Sequence, residues 1–338
     1  MKKIINSPLK MTRSAFTFIE LTLVILILGI VSSIGSSVIV NLYQNYIFQR
    51  ATHHASLKTE LAAQQIANLL SYRIPGTILA RDPNNLGDYL LVSEVDPTLG
   101  GDEDNIHTAL EWVGADNDGF TAARIAGWNG FCDLGSSNQN QIITPGSNLN
   151  LERNIISNLS GGKVNFNTTG TPNAAIFFRD FLYTKNPDKA YDVKSCMGLV
   201  SADTSCISTV RRSPGGTANR NQTMYFVTGA ASQKVITEHY KLAWTAYAII
   251  PFRPGTNTPC TQGESNCDLR LYYNYQPWDG ERLTAARYTT IPHATIVSNV
   301  SVFKFALLGS TMRFKLCTQE NIGEDKNVTI CKEKAIIL

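Results

Sequence analysis

The hydrophobic pattern of the chain is most distinctive at its start. Four basic residues and no acid occur before residue 15: Lys2, Lys3, Lys10 and Arg13. The following residues 21–40 contain no charged side chain, and about 20 apolar residues are enough to cross a bilayer as an α-helix. The basic flank predicts an N-terminus in the cytoplasm, which would leave the rest of the chain on the opposite side of the membrane.

The same helix is predicted to continue beyond the apolar run. Residues 41–72 contain neither Pro nor Gly, and apolar side chains recur there at roughly helical spacing: Leu57, Leu61, Ile66, Leu69 and Leu70. Pro75-Gly76 is expected to end the helix. A helix from Phe16 to Tyr72 would be about 85 Å long at about 1.5 Å per residue.

Alternation of apolar and polar residues, typical of half-buried strands, is clearest in the C-terminal third. It covers residues 242–250, 269–276, 303–307 and 312–316, and Gly309-Ser310 between the last two runs predicts a hairpin. In the second run one face is expected to carry Leu269, Leu271, Tyr273 and Tyr275, and the other Arg270, Tyr272, Asn274 and Gln276.

The segment 82–223 is polar and rich in Asn, Gly, Ser and Asp, and strands are hard to place in it. Such a segment is more often a set of loops on a sheet than a domain of its own. The predicted fold class is therefore α+β: a long N-terminal helix, its first half transmembrane, packed through its second half on an antiparallel β-sheet with extended loops.

The segment Phe16-Thr17-Phe18-Ile19-Glu20-Leu21, preceded by Ala15, resembles the prepilin leader of type IV pilins and type II secretion pseudopilins. In that family a membrane peptidase cuts just before the Phe and methylates the new amine. The resemblance implies cleavage between Ala15 and Phe16, N-methylation of Phe16 and an assembly role for Glu20, the fifth residue of the mature chain. The family usually has Gly where this chain has Ala15. The resemblance covers residues 10 to about 75, under a quarter of the chain.

Glu20 is a carboxylate at the mouth of the apolar run, where a charge is costly, by roughly 2.5–3.5 kcal/mol at mid-bilayer and less near the edge. By resemblance, it would meet the amine of Phe16 on its own chain or on an adjacent subunit of a filament. A position in the lipid headgroup layer is the plainer alternative.

Small residues form a second feature of the span, because they follow the i, i+3, i+4, i+7, i+8 pattern of one helix face: Gly29, Ser32, Ser33, Ser36 and Ser37. Such a stripe lets helices approach closely. It is either a packing face inside a filament or the ordinary Ser and Gly content of a membrane span.

Charge argues against nucleic acid as a partner. The whole chain is formally +3; the leader contributes +4, so the mature chain is near −1 (3 − 4), with no basic excess left for phosphates.

The predicted organisation is a leader peptide over 1–15, the transmembrane half of the helix over 16–40, its periplasmic half over 41–74, and a periplasmic, β-rich globular domain over 75–338.

All seven cysteines follow the span. Six form sequence-local couples: Cys196/Cys206, Cys260/Cys267 and Cys317/Cys331. In an oxidising compartment these predict disulfides that close short loops, each contributing about 2–3 kcal/mol, although connectivity does not follow from sequence. Cys132 is left over, either buried or free. Zinc is not expected, because C-x2-C spacing and a nearby His are missing.

Two acidic runs leave calcium open as a cofactor: Asp102-Glu103-Asp104 and Asp116-Asn117-Asp118-Gly119. They lack EF-hand spacing, and solvated loops explain them equally well, so no metal ligand is assigned. Asp325-Lys326-Asn327-Val328-Thr329 fits the extended sequon of bacterial N-glycosylation, which makes Asn327 a candidate glycosylation site. The other N-x-S/T sites lack the preceding acid: Asn158, Asn167, Asn221 and Asn299.

An enzyme is not expected. The chain has only five His, and neither G-x-S-x-G nor H-E-x-x-H occurs. The resemblance instead implies a structural subunit of a type II secretion pseudopilus or type IV pilus. The size of the globular part favours a minor, tip-type subunit by analogy. Its partners would be other pilins or pseudopilins, the prepilin peptidase, the inner-membrane assembly platform and the lipid bilayer.

The expected location follows from this assignment: a single-pass inner-membrane protein with a cytoplasmic N-terminus before processing and a periplasmic C-terminal domain, found in the pilus or pseudopilus once assembled. A competence or adhesive pilus subunit is an alternative within the class. Outside it, the alternative is a membrane-anchored periplasmic enzyme or ligand-binding protein that uses the helix only as an anchor. An anchor needs neither Glu20 nor a cut before Phe16.

Overall fold

The structure is a computed structural model, and it describes most of the chain in ten segments. These are residues 17–95, 106–121, 124–167, 172–178, 193–205, 207–213, 219–227, 235–261, 263–323 and 327–337.

The long helix α1 spans Phe18–Ser71 and is one unbroken element of 54 residues. Its N-terminal half is exposed along its length, and its C-terminal half packs on a sheet through six buried residues: Ala55, Thr59, Ala62, Ala63, Ile66 and Leu70. The predicted helix is confirmed. Its predicted packing face is partly wrong, because Leu57 and Leu61 are 52% and 71% exposed. Small side chains face the sheet instead, and residues two apart on a helix differ by about 200° in direction.

Two short helices and thirteen strands follow within the described residues. The helices are α2 (Asn117–Thr121) and α3 (Leu149–Leu159). The strands are β1 (Leu79–Arg81), β2 (Tyr89–Leu91), β3 (Ala109–Gly114), β4 (Gln141–Ile143), β5 (Ala174–Phe178), β6 (Ser208–Arg212), β7 (Thr223–Phe226), β8 (Tyr240–Ala243), β9 (Thr245–Phe252), β10 (Cys267–Tyr275), β11 (His293–Leu308), β12 (Thr311–Asn321) and β13 (Asn327–Ile337).

The larger sheet has eight strands in the order β13-β12-β11-β10-β9-β3-β1-β2, and its neighbours are antiparallel. Helix α1 lies across β11, β12 and β13. One core fills the space between helix and sheet, and includes Ile66, Leu110 and Phe314. The α+β class, with the helix covering one face of an antiparallel sheet, is therefore confirmed. The predicted hairpin is also present, because β11 and β12 meet at Gly309-Ser310.

The second β-run differs from its predicted alternation at one point. Leu269 and Leu271 face the helix-side core as expected, but Tyr275 joins Tyr272 in the core on the opposite face. The register of β10 against β9 shifts between Tyr272 and Tyr275, and Asn274 has a left-handed backbone with φ of 56°. A bulge adds one residue and reverses the faces beyond it, so the expected side of Tyr275 is wrong.

The polar middle of the chain contributes three strands, β4, β5 and β6, to a second sheet, so the interpretation of residues 82–223 as loops is incomplete. Five strands pair antiparallel in the order β4-β7-β6-β5-β8. One face shares a core with the larger sheet, and the other packs with α3 around a core that includes Ile142, Ile156 and Leu242. The run 242–250 is accordingly divided at Trp244 between β8 and β9, which belong to different sheets. Strands of three to five residues are too short to show alternation clearly.

Candidate functional site

The start of α1 holds the carboxylate that the sequence singled out. Glu20 lies exposed in the first helical turn, and the hydroxyl of Thr17 donates to its Oε2 at 3.5 Å. An acid in the first turn interacts favourably with the positive end of the helix dipole. Ala15 and Phe16 lie outside the described residues, so the cleavage and N-methylation sites stay predictions.

The N-terminal half of α1 leaves a long apolar surface uncovered. Exposure of its large apolar side chains ranges from 44% for Val24 to 82% for Phe18 between residues 18 and 40. The helix is long and apolar enough to cross a membrane, by length and composition. An apolar surface of this extent is unfavourable in water, so it needs a bilayer or other protein chains around it.

The small-residue stripe lies along this uncovered half. Gly29, Ser32, Ser33, Ser36 and Ser37 are all exposed. A Cβ added at Gly29 would meet nothing, and the hydroxyl of Ser37 donates to the carbonyl of Ile34 at 2.8 Å. A serine that bonds within its own helix adds little polarity to the surface. The stripe is therefore available for close approach, and its role as a packing face stays a prediction.

Polar contacts fix the C-terminal half of α1 on the sheet. The Glu60 carboxylate accepts a hydrogen bond from Lys334 on β13 and lies 3.7 Å from Nζ of Lys332. The hydrogen bond from Lys334, together with the two positive charges, lowers the pKa of Glu60. Beneath them, the buried hydroxyls of Thr59 and Thr318 are 2.6 Å apart. The helix thus enters the globular part in a defined orientation.

Two of the predicted cysteine couples are disulfides in the structure. Cys317–Cys331 joins directly opposed positions of β12 and β13, with Cα atoms 4.0 Å apart, and Cys260–Cys267 closes the loop between β9 and β10. Cys196 is also disulfide-bonded; Cys206 lies outside the described residues. Cys132 is a buried free thiol. Burial raises its pKa, which makes it a poor nucleophile.

Only the second of the two acidic runs lies within the described residues. Asp102, Glu103 and Asp104 lie outside the described residues, whereas Asp116 and Asp118 approach Glu152, a buried acid on α3 that the sequence did not single out. The Glu152 oxygens have no hydrogen-bond partner, and a Cβ at Gly119 or Gly127 would overlap Oε2 of Glu152. Burial, followed by Asp116, raises the pKa of Glu152 well above its ordinary value.

This carboxyl cluster is not arranged as a metal centre. The Asp116 carboxylate already accepts hydrogen bonds from the Gly119 amide at 3.2 Å and from Nε1 of Trp128 at 3.1 Å. Among the described residues, no group of three or more His, Cys, Asp or Glu side chains could hold a metal ion. The cluster therefore favours a neutral, protonated Glu152, and calcium is not assigned to it.

A second cluster of buried polar side chains lies within the larger sheet. No sequence pattern predicts it. Arg81 on β1 forms an ion pair with Glu111 on β3, and both side chains are almost fully buried. Arg81 also donates to the carbonyl of Leu199 at 2.9 Å, and the Tyr275 hydroxyl donates to Glu111 Oε1 at 3.0 Å. Burial and Glu111 raise the pKa of Tyr275 well above its ordinary value. Because its members are mutually partnered, this network fits a structural role.

The candidate glycosylation site is accessible in part. Asn327 is the first residue of β13 and is exposed, as is Thr329. Asp325 lies outside the described residues. Asn327 pairs with Asn321 in the sheet, so the tripeptide is part of a strand, and modification of Asn327 stays a prediction.

Comparison with known proteins adds no relative. No family model, curated protein or solved structure matches this chain. The features of this chain that bear on its function are the N-terminal resemblance over residues 10 to about 75 and the geometry of α1 with its sheet.

Proposed function

We propose that this chain is a pilin-like structural subunit, of the minor, tip-type kind, in a type II secretion pseudopilus or a type IV pilus. The observation that carries the proposal is the continuity of α1 from an uncovered apolar half into a half packed on the sheet. A membrane tether needs only a span that is joined to its domain by a linker of any length or flexibility. A filament subunit needs its globular part held in a fixed position relative to its span.

Backbone hydrogen bonds also hold the residues that follow α1 in place. The Ala115 amide donates to the carbonyl of Tyr72 at 2.7 Å, and the Ile74 amide donates to the carbonyl of Val113 at 2.8 Å. No Pro or Gly interrupts residues 41–72, so the sequence supplies no hinge between span and domain. A rigid connection favours an assembled subunit over a tethered enzyme or binding protein.

The uncovered surface also extends beyond the length that a bilayer needs. The uncovered part of α1 from Phe18 to Arg50 is about 50 Å long, whereas the hydrocarbon core is about 30 Å thick. Leu57 and Leu61 point away from the sheet in the part of α1 that packs on it. We assign this outward face to contacts with the helices of neighbouring pilins or pseudopilins.

Glu20 would supply the register of this assembly. Cleavage by the prepilin peptidase before Phe16 would create a positive amine four residues before Glu20 in the chain. When N-terminal helices bundle and exclude water, each charge needs a partner. A subunit docked out of position would leave the carboxylate buried and unpaired, so the pair would discriminate against misplacement.

Location and partners follow from the same proposal. The chain would be inserted in the inner membrane with its N-terminus in the cytoplasm and its globular domain in the periplasm, where an assembly platform recruits it. The disulfides Cys260–Cys267 and Cys317–Cys331 are typical of an oxidising compartment. The bulk of residues 75–338 suits a filament tip better than a repeating shaft.

Leader processing tests the proposal directly. We expect membrane-extracted protein from cells with a prepilin peptidase to begin at N-methylated Phe16, as measured by intact mass and N-terminal peptide analysis. Ala15→Gly, which installs the residue usual in the family, should give the same mature chain, whereas a bulky Ala15→Leu should block the cut. A wild-type chain that still begins at Met1, or that is cut beyond Val40, would contradict a pilin-like subunit and favour a simple anchor.

A further inference from the structure

An open cleft beside the five-stranded sheet is lined by arginine and amide side chains. Its volume is about 640 Å³, and its walls come from the first turns of α3, the end of β6 and the turn that precedes β7. The arginines are Arg153, Arg212 and Arg220, and the amides include Asn150 and Asn221. A space of this volume is within the range of small-molecule sites.

Arg212 is the deepest of the three arginines, at 3% exposure. Its Nη1 donates to Oδ1 of Asn150 at 2.8 Å and lies 3.4 Å from Oδ1 of Asn221, while its buried Nε has no partner. These acceptors are neutral amides, so they orient the guanidinium without compensating its charge. Burial, followed by the charges of Arg220 and Arg153, lowers the pKa of Arg212.

Some of the other arginines of this protein have the partner that the cleft lacks, whereas others donate only to neutral oxygens. Three arginines each pair with a carboxylate: Arg81 with Glu111, Arg253 with Glu264 and Arg313 with Glu333. Within the part of the chain that the structure describes, no carboxylate pairs with Arg153, Arg212 or Arg220. Like charges held together at a half-buried surface repel one another, and a bound anion would relieve that repulsion.

Backbone geometry strengthens the positive field and holds the cleft in shape. Helix α3 begins at its N-cap Asn148, and its second residue, Asn150, lines the cleft, so the positive end of the helix dipole lies beside it. The turn carrying Arg220 is fixed because the Thr144 amide donates to the carbonyl of Gln222 at 2.8 Å. Nε of Arg220 also donates to the carbonyl of Ser213 at 3.1 Å.

We propose that this cleft binds a phosphate group, either free or as the monoester of a sugar-sized molecule, with Arg212 at its base and Arg153 and Arg220 at its rim. Guanidinium groups match the oxygens of phosphate through paired N–H donors. One phosphate would fill only part of the 640 Å³. The remaining space, with its amide side chains, suits the hydroxyl groups of a small carbohydrate.

Calorimetry on the full chain in non-ionic detergent tests this site, with inorganic phosphate and glucose 6-phosphate as probes and with glucose and added chloride as references at equal ionic strength. We expect saturable one-site binding of phosphate with a Kd below about 1 mM, and a rise of the melting temperature with phosphate concentration. Tighter binding of glucose 6-phosphate would assign an ester ligand, and equal binding a free oxyanion.

The neighbouring strand residue supplies a matched control. Arg211 precedes Arg212 on β6, is not part of the cleft lining, and lies over the ring of Tyr225 instead. Arg212→Gln should weaken phosphate binding at least tenfold and Arg220→Gln severalfold, whereas Arg211→Gln should leave it unchanged. Arg220 is exposed, so its variant should stay folded even if Arg212→Gln does not. Absence of saturable binding, or equal weakening by Arg211→Gln and Arg220→Gln, would overturn the proposal.

Discussion

The two halves of α1 share one helical geometry and have opposite surroundings. From Phe18 to Arg50 nearly every residue is exposed, although most of the large side chains there are apolar. From Ala55 to Leu70 the face towards the sheet is fully buried, although it is built largely from Ala and Thr. The hydrophobicity of a segment of this helix therefore does not predict whether that segment packs on the rest of the chain.

This difference indicates that the two halves are stabilised by different partners. The C-terminal half gains its stability from β11, β12 and β13 of the same molecule. No residue of the N-terminal half is buried within the chain, so its apolar surface needs a cover from outside, either a bilayer or other protein chains.

Removal of the uncovered half should change solubility and leave the fold intact. A chain that begins at Arg50 retains the packed half of α1 and both sheets. We expect it to be soluble without detergent and to melt within a few degrees of the full chain in detergent, because no residue from Phe18 to Gln49 is buried in the structure. Gel filtration and circular dichroism would measure both properties. Unfolding or aggregation of this shortened chain would show that the first half contributes to the domain after all.

Replacement of Glu20 tests the same half in its proposed assembled state. Glu20→Leu should insert in the membrane and be processed normally, yet enter a filament at least tenfold less well, because the amine of Phe16 would be left buried without its partner. Cross-linking to neighbouring prepilins, alongside secretion or piliation, would measure recruitment. Thr22→Leu is a suitable control, since Thr22 bonds only within its own helix and carries no charge. Normal recruitment of processed Glu20→Leu would remove the register role.

Much of the architecture follows from local sequence patterns. The absence of Pro and Gly over residues 41–72 predicts the long helix, and long alternating strands predict the β11–β12 hairpin. The packing face of α1 does not follow, because Ala and Thr give a weaker periodic signal than Leu57 and Leu61, which face outward. The alternation predicts the wrong face for Tyr275, because the bulge at the left-handed Asn274 adds one residue to the strand and no local sequence pattern marks it.

Features that join distant segments cannot be predicted from the sequence, for a different reason. Strand β5 pairs with both β6 and β8, although about 30 residues or more separate their sequence positions. The buried Glu152 meets Asp116, which lies just before α2, and the cleft arginines come from α3, β6 and the turn before β7. Each of these residues alone is an ordinary surface type. Only the tertiary fold brings them together, whereas the N-terminal motif is contiguous and visible in the sequence.

A core substitution should separate the two faces of the packed half. Ile66 is fully buried against the sheet, so Ile66→Ala should lower the free energy of unfolding by about 2–5 kcal/mol. Leu61 lies five residues earlier on the outward face, so Leu61→Ala should change it by less than about 0.5 kcal/mol. Denaturant titration followed by tryptophan fluorescence would measure both. Equal losses would mean that the outward face is covered within the molecule.

The smallest effect concerns the charges that join the packed half to β13. Because Lys334 holds the pKa of Glu60 below the ordinary value of 4.5, this contact stabilises the fold above that pH and is lost as the pH falls through the lower, folded-state pKa. Glu60→Gln should therefore lower the melting temperature by about 1–2 °C at neutral pH and low salt. The difference should vanish in acid, and at about 1 M salt, where charges are screened within about 3 Å. A double-mutant cycle with Lys334→Gln would isolate the pair, and strictly additive effects would show that Glu60 and Lys334 are not coupled. Coupling that persists at high salt would instead assign the stabilisation to the hydrogen bond, which is less screened than the long-range charges.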